Sequence, residues 1–302
     1  MINLNEDNIL SNLDFSTKVI LGKGYVSEAY KVKLLNNKEN EYTVLKGLIK
    51  DSYKCYEDSF NNLKFIYNNG NPLIKSIKIP FENLILIQSN NEFKYGALIY
   101  KNITGIILKE NLLNKINIEN ITNLISNFLT ELYNIPIDKN FSLENYKKTQ
   151  LDYFNTIVLT LTNYLQNKNI IYDNIKLLNL ENEYKNYLKE FKEPHFIHGD
   201  FWEENMIISN DYQNLLGIID FDNFGIGDNA LDFATLSDFG YDFINIVLNK
   251  CNFIKDKEKF IIKVKMFEKW VYLDDFYYLF CNWKKEDMLL KEIEEMKKLN
   301  LI

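Results

Sequence analysis

The sequence predicts an α+β fold built in two parts, a strand-rich first 100 residues and a helix-rich remainder. Three observations carry this. Residues 17 to 48 alternate apolar and polar side chains with period two. Beyond residue 117 the apolar residues recur at helical spacing over long runs. Between the two regimes lies a short polar connector, Lys101-Asn102-Ile103-Thr104-Gly105.

Taken in order, Thr17 to Leu21 reads as a strand entering the glycine turn Gly22-Lys23-Gly24-Tyr25-Val26-Ser27. Ala29 to Leu34 and Glu41 to Lys46 read as the arms of a hairpin joined by Asn36 to Asn40. Residues 53 to 68 place Tyr53, Tyr56, Phe60, Leu63 and Tyr67 on a helix that Asn69-Gly70-Asn71-Pro72 stops. Residues 84 to 88 and 95 to 100 read as two further strands. Helices are expected over 117 to 134, 142 to 167, 176 to 190, 241 to 250, 256 to 281 and 284 to 299. Two short apolar strands, Met206 to Ile208 and Leu215 to Ile219, interrupt them.

With 302 residues, 46% of them hydrophobic, the chain has ample material for a core. A net charge of −7 argues against a nucleic-acid partner, which selects basic faces, and is compatible with a cationic small molecule. All 35 basic residues are lysines, so phosphate groups cannot be met by an arginine fork and fall to lysine, peptide N–H groups and metal. Cys55, Cys251 and Cys281 are scattered and lack metal-ligand spacing. The N-terminus lacks a signal-peptide pattern, and no apolar run approaches the roughly 18 residues of a membrane span. The expectation is a soluble, cytoplasmic protein with neither membrane nor nucleic-acid partners.

The chemistry concentrates in His198-Gly199-Asp200-Phe201-Trp202-Glu203-Glu204-Asn205 and Ile218-Ile219-Asp220-Phe221-Asp222. Asp200 can accept a hydrogen bond from a hydroxyl and aim its oxygen at a terminal phosphorus. Asn205 and Asp220 offer one amide oxygen and one carboxylate, a donor set that suits Mg²⁺ bridging nucleotide phosphates. Asp222 reads either as a second metal ligand or as a solvated carboxylate. His198 reads as a brace for the loop more readily than as a general base. The Gly22, Gly24 and Ser27 turn can approach phosphates, although glycine turns between strands are common and no Rossmann or Walker pattern is present. Lys46 could pair with phosphates if a helix carboxylate held it, with Glu57 the first candidate and Asp58 the next. Asp228 reads as a helix cap before Ala230-Leu231-Asp232-Phe233-Ala234.

This order of motifs resembles the aminoglycoside phosphotransferase family, most of all its 2″-phosphotransferases. The resemblance spans about Gly22 to Asp242 and is most specific in the two segments around Asp200 and Asp220. It implies a bilobal protein-kinase-like fold, with an antiparallel-sheet N-lobe carrying one helix and a mainly helical C-lobe. Residues 1–100 would form the nucleotide-binding lobe, 101–105 the hinge and 106–302 the lobe with the catalytic loop and acceptor pocket. By the same resemblance Asp200 is catalytic, Asn205 and Asp220 bind Mg²⁺, Lys46 held by Glu57 binds phosphates, and the backbone of Lys101 and Ile103 meets the purine of ATP or GTP. The implied reaction is transfer of the γ-phosphoryl group to a hydroxyl of an aminoglycoside, as in antibiotic resistance. Kinases of choline, homoserine, methylthioribose or a sugar share the same catalytic residues, and a non-catalytic nucleotide-binding protein is the further alternative. Acids and aromatics that could receive a polycationic acceptor are Glu203, Glu204, Asp238, Asp242, Trp270 and Asp274, with solvated acidic faces as the plainer reading.

Overall fold

The computed structural model describes residues 11–23, 27–35, 40–70, 77–282 and 285–302. Contacts divide the chain into two compact units. The first comprises Met1–Ile135, Phe196–Gly225 and Asp238–Phe253, and the second Pro136–His195, Ile226–Ser237 and Ile254–Ile302.

The first unit is built on a five-stranded antiparallel sheet of order β1-β2-β3-β5-β4. Its strands are β1 (Leu13–Lys23), β2 (Ser27–Leu34), β3 (Glu41–Gly47), β4 (Ile85–Ile87) and β5 (Ala97–Lys101). Strand alternation sends side chains to two faces. The register sets Tyr30 opposite Val44, and Val44 and Ile85 opposite Ile99. These residues share a core with Leu13, Val32, Tyr42 and Phe93. On the other face Leu98 and Tyr100 pack with Tyr56 of helix α1 (Ser52–Asn69). The helix turns Ser52, Tyr56, Ser59, Leu63 and Ile66 inward and ends where Gly70 N–H bonds to Ile66 O at 2.6 Å. The strand and helix expectations for residues 17 to 101 therefore hold with small shifts of boundary.

A second, three-stranded sheet of order β6-β8-β9 carries the catalytic segments. It consists of β6 (Ile106–Ile107), β8 (Met206–Ile208) and β9 (Leu215–Ile218). β6 is too short to show a period and was not expected from the sequence. Helices α2 (Ile118–Tyr133) and α6 (Gly240–Lys250) pack on one another in the same unit. Asn117 caps α2 by accepting the Asn120 N–H at 3.1 Å.

The second unit is helical: α3 (Leu143–Asn167), α4 (Asn174–Glu190), α5 (Ala230–Ala234), α7 (Lys257–Asn282) and α8 (Glu286–Lys298). Ser142 and Asp173 cap α3 and α4, and the Asp173 cap moves the start of α4 two residues ahead of the expected 176. The long α7 packs against α3, α5 and α8. The short strands β7 (His195–Ile197) and β10 (Gly225–Gly227) complete the order of elements. No described helix is long and apolar enough to cross a membrane.

Candidate active site

The residues from His198 to Asp222 all belong to the first unit, where β8 and β9 form a short hairpin. Asn205 sits at the end of the 3-10 turn Glu203–Asn205, and its carbonyl accepts the Ile219 N–H at 2.9 Å. Residues fourteen apart in the chain are thereby joined, and Asp220 is the next residue.

His198 is fully buried and ties the two segments together. Its Nδ1 accepts the Asp200 N–H at 3.3 Å, which leaves Nε2 to carry the proton and donate to Ile219 O at 3.1 Å. Burial pushes its pKa down to about 4, so the ring is neutral at physiological pH. The ring packs between Phe201 and Phe221, with centroids 5.4 and 4.6 Å away. Phe128 of α2 stacks on Phe201 at 5.8 Å. The histidine is a brace. Gly199 has φ +81°, and a Cβ there would lie 2.4 Å from Asn223 O, so only glycine allows this approach of the loops.

Asn205 is buried, and its Nδ2 donates to Asp200 O at 2.9 Å and Asp200 Oδ2 at 3.2 Å. With the donor end engaged, the amide oxygen is the end left to act as a ligand. Asp220 adopts φ +65°, a strained conformation for a residue with a side chain. It is exposed to water yet surrounded by protein atoms, as expected of a group lining a recess. Burial raises its pKa, against a hydrogen bond from backbone at Asp222. Asp222 is pushed up to about 7, by burial first and then by the charges of Asp220 and, more weakly, Asp200, against the lowering influence of the nearby Ser59 hydroxyl. This concentration of carboxylates, with an amide oxygen beside it, fits a divalent cation. Among the described residues no three His, Cys, Asp or Glu side chains form a metal cage.

The other expected residues are placed as follows. Gly22 lies in β1 opposite Ala29, and open space surrounds the place its Cβ would take. Ser27 opens β2 opposite Gly47. Gly24 lies outside the described residues. Lys101 closes β5; its side chain pairs with Glu82 at 2.6 Å and its N–H donates to Glu82 O at 2.8 Å. Ile103 is buried at 7% exposure.

The expected Lys46–Glu57 pair is not formed. Glu57 lies off the inward face of α1, where Lys54 pairs with it at 3.4 Å and with Asp58 at 2.6 Å. The register puts Lys46 opposite Glu28 and Ala97, on the sheet face of Val44, whereas α1 covers the face of Leu98 and Tyr100. Strand and helix thus turn these two side chains apart.

Of the acceptor candidates, the first unit gathers Glu203, Glu204 and Asp238. The Glu203 carboxyl is raised by burial first and then by Asp238, Glu204 and Glu110, and its Oε2 is buried without a hydrogen-bond partner. Glu110 escaped the sequence reading because it lies in an isolated 3-10 turn, Glu110–Leu112, far along the chain. Asp242 is exposed on the first turn of α6. In the second unit Trp270 is a core residue, 7% exposed, in a mutual cluster with Phe154 at 4.7 Å and Tyr184 at 3.7 Å. Burial among these rings corrects the expectation of an acceptor platform. Asp274 accepts the Tyr153 hydroxyl at 2.5 Å.

Comparison with known proteins accords with this geometry. No curated protein sequence matches the chain significantly. Among solved structures it is similar to the ADP-bound aminoglycoside phosphotransferase APH(2″)-Ib, at TM-score 0.68 and 23% identity over 98% of this chain and 93% of that one. It is also similar to APH(2″)-IIa in its gentamicin complex, at TM-score 0.72 and 23% identity over 98% and 97%. A type I macrolide 2′-phosphotransferase matches at TM-score 0.65 and 11% identity over 91% and 89%. These likenesses show a shared fold. The sequence profile of the phosphotransferase enzyme family, APH, matches residues 85–246, which hold the Asp200, Asn205 and Asp220 cluster, and the chain is therefore a member of that family and a small-molecule kinase.

Proposed function

We propose that this kinase moves the γ-phosphoryl group of ATP or GTP to a hydroxyl of an aminoglycoside, with Mg²⁺ as cofactor. The observation that carries the reaction is the orientation of Asn205 by Asp200, which leaves an amide oxygen and the Asp220 carboxylate as cation ligands within one short hairpin. The metal would draw charge from the phosphates; everything else falls to the protein.

Asp200 receives the hydrogen bond of the acceptor hydroxyl, aims its oxygen at phosphorus and takes its proton late in transfer. His198 fixes the backbone of Asp200 and of Ile219, and so sets the distance between the hydroxyl-orienting and metal-holding carboxylates. Phosphate oxygens meet peptide N–H groups of the Gly22, Gly24 and Ser27 turn. Lys46 lies across the β2–β3 ladder from Glu28, one step from the Ser27–Gly47 pair, and is the cation assigned to them. The backbone of Lys101 and Ile103 is assigned to the purine. Such catalysis is positioning and electrostatics.

The acceptor assignment rests on the Glu203, Glu204, Asp238 and Glu110 cluster, which begins three residues after Asp200. Four acids with one buried oxygen unpartnered suit an acceptor bearing several ammonium groups, and structural neighbours were solved with gentamicin, kanamycin and streptomycin. The test is nucleoside diphosphate release with magnesium and either triphosphate across aminoglycosides, choline and sugars. Stimulation by aminoglycosides supports the assignment. Stimulation only by a metabolite such as choline, homoserine, methylthioribose or a sugar transfers it to that acceptor.

A further inference from the structure

A recess outside the catalytic cluster lies in the first unit, between the start of α1 and the turn that joins β4 to β5. It measures about 530 Å³ and is lined by Lys50, Tyr53, Gln88, Ser89, Lys94 and Tyr95. That volume is in the range of small-molecule sites. Two glycines let its walls approach. A Cβ on Gly96, at φ +79°, would lie 2.9 Å from Tyr53 Cδ2 and 2.9 Å from Ile87 O. A Cβ on Gly47 would lie 2.5 Å from Tyr95 O and 2.8 Å from Ser52 Cβ. Between them the Gly47 N–H donates to Gly96 O at 3.1 Å. The β4–β5 turn is also held by bonds of its own. Asn90 Oδ1 accepts the Glu92 and Phe93 N–H groups at 2.9 and 2.7 Å, and the Ser89 hydroxyl donates to Lys94 O at 2.5 Å. The backbone that carries both tyrosines is thus fixed in advance, which lowers the ordering cost of binding.

We propose that this recess is a second ligand site, one that takes a small phosphate ester of a planar, aromatic group. Charge selects the sign. The chain carries a net charge of −7, yet the lining holds two lysines and no carboxylate. Asp51 and Glu92 are close to those lysines in the chain but do not line the recess. Neither Lys50 nor Lys94 forms an ion pair among the described residues, and Lys94 Nζ sits 4.9 Å from the centroid of the Tyr95 ring. Two ammonium groups match the charge of a phosphate dianion, and lysine meets phosphate as a point charge, the mode open to a chain without arginine. The Gln88 amide adds N–H donors. Tyr53 and Tyr95 are half-buried and offer ring surface to the planar group. An aminoglycoside would meet like charge here, so this recess differs in kind from the acidic cluster around Glu203.

The test is calorimetric titration of phenyl phosphate, without nucleotide, into the full chain. Wild type is compared with Lys50→Met/Lys94→Met, with Lys46→Met, and with Lys115→Met/Lys297→Met, a control pair of exposed lysines elsewhere. One saturable binding event is expected. It should survive in Lys46→Met and in the control pair, and weaken at least about tenfold in Lys50→Met/Lys94→Met. Inorganic phosphate, which lacks the ring, and benzoate, which carries one charge, should each bind at least about threefold more weakly than phenyl phosphate, and benzylamine should not bind. Wild-type affinity in Lys50→Met/Lys94→Met would overturn the proposal. So would loss of binding in Lys46→Met, which would place the ligand at the assigned nucleotide phosphates instead. Equal or tighter binding of inorganic phosphate or benzoate would refute the ester, and absence of saturable binding at about 10 mM would refute the site. If the methionine pair is insoluble, Lys50→Gln/Lys94→Gln takes its place. The outcome does not depend on the residues assigned to phosphoryl transfer, because only Lys46→Met touches them.

Discussion

His198 should make the kinase acid-labile by a calculable amount, and His198→Gln should remove that lability. In the native state the ring is fully buried and takes up a proton only near pH 4, whereas an unfolded histidine does so near 6.5. The folded pKa is depressed, so the associated stability is complete above about pH 6.5 and drains away as pH falls towards 4. Each pH unit in that window costs about 1.4 kcal/mol, and the whole window about 3 kcal/mol. Asp222 works in the opposite sense. Its pKa is raised to about 7 in the fold, so acidification below 7 favours the folded state through that group. The wild-type curve alone mixes the two effects, but a glutamine variant shares Asp222 and isolates the histidine. Urea unfolding without metal, at intervals from pH 7.5 to 4.5, gives the two curves. Wild type should lose about 2 to 3 kcal/mol relative to His198→Gln across that range. Parallel curves would mean that the ring is not held neutral between the two loops, and its bracing role would be refuted.

Other outcomes follow from the same contacts. Gly199→Ala should cost at least about 3 kcal/mol or prevent soluble expression, because the new Cβ meets Asn223 O at 2.4 Å in a left-handed backbone; thermal unfolding reads this. Lys263→Met should cost about 2 kcal/mol in unfolding free energy, since it strips the 2.7 Å ion pair from Asp228, a buried carboxylate left with the Tyr187 hydroxyl and its own helix cap. Trp270→Ala should lower stability by about 3 to 5 kcal/mol, whereas Trp270→Phe, if soluble, should leave acceptor KM unchanged, as suits a core residue.

Much of this architecture can be read from the chain because its strands and helices keep clean periods. The alternation Tyr42-Thr43-Val44-Leu45 survives in the register, and Ser142 and Asp173 cap helices as their side chains suggest. The loop from His198 to Asp222 was legible because its chemistry is local and its hairpin short. What failed required knowing which way a helix faces. The inward spacing of Ser52, Tyr56, Ser59, Leu63 and Ile66 already excludes Glu57 from the core side, but the acid was chosen by chain order instead. Trp270 was misread because an aromatic beside acids in a helix looks alike whether it greets a ligand or, as here, Phe154 and Tyr184. β6 and Glu110 draw their places from long-range packing, which no local pattern records.

The central claim is that Asp200 orients an acceptor hydroxyl for phosphoryl transfer. Its most direct test compares wild type with Asp200→Asn for aminoglycoside-stimulated nucleoside diphosphate release and for nucleotide affinity. The account predicts that the substitution lowers turnover by at least about a hundredfold while nucleotide affinity stays within a few-fold. Near-wild-type turnover in Asp200→Asn would contradict it.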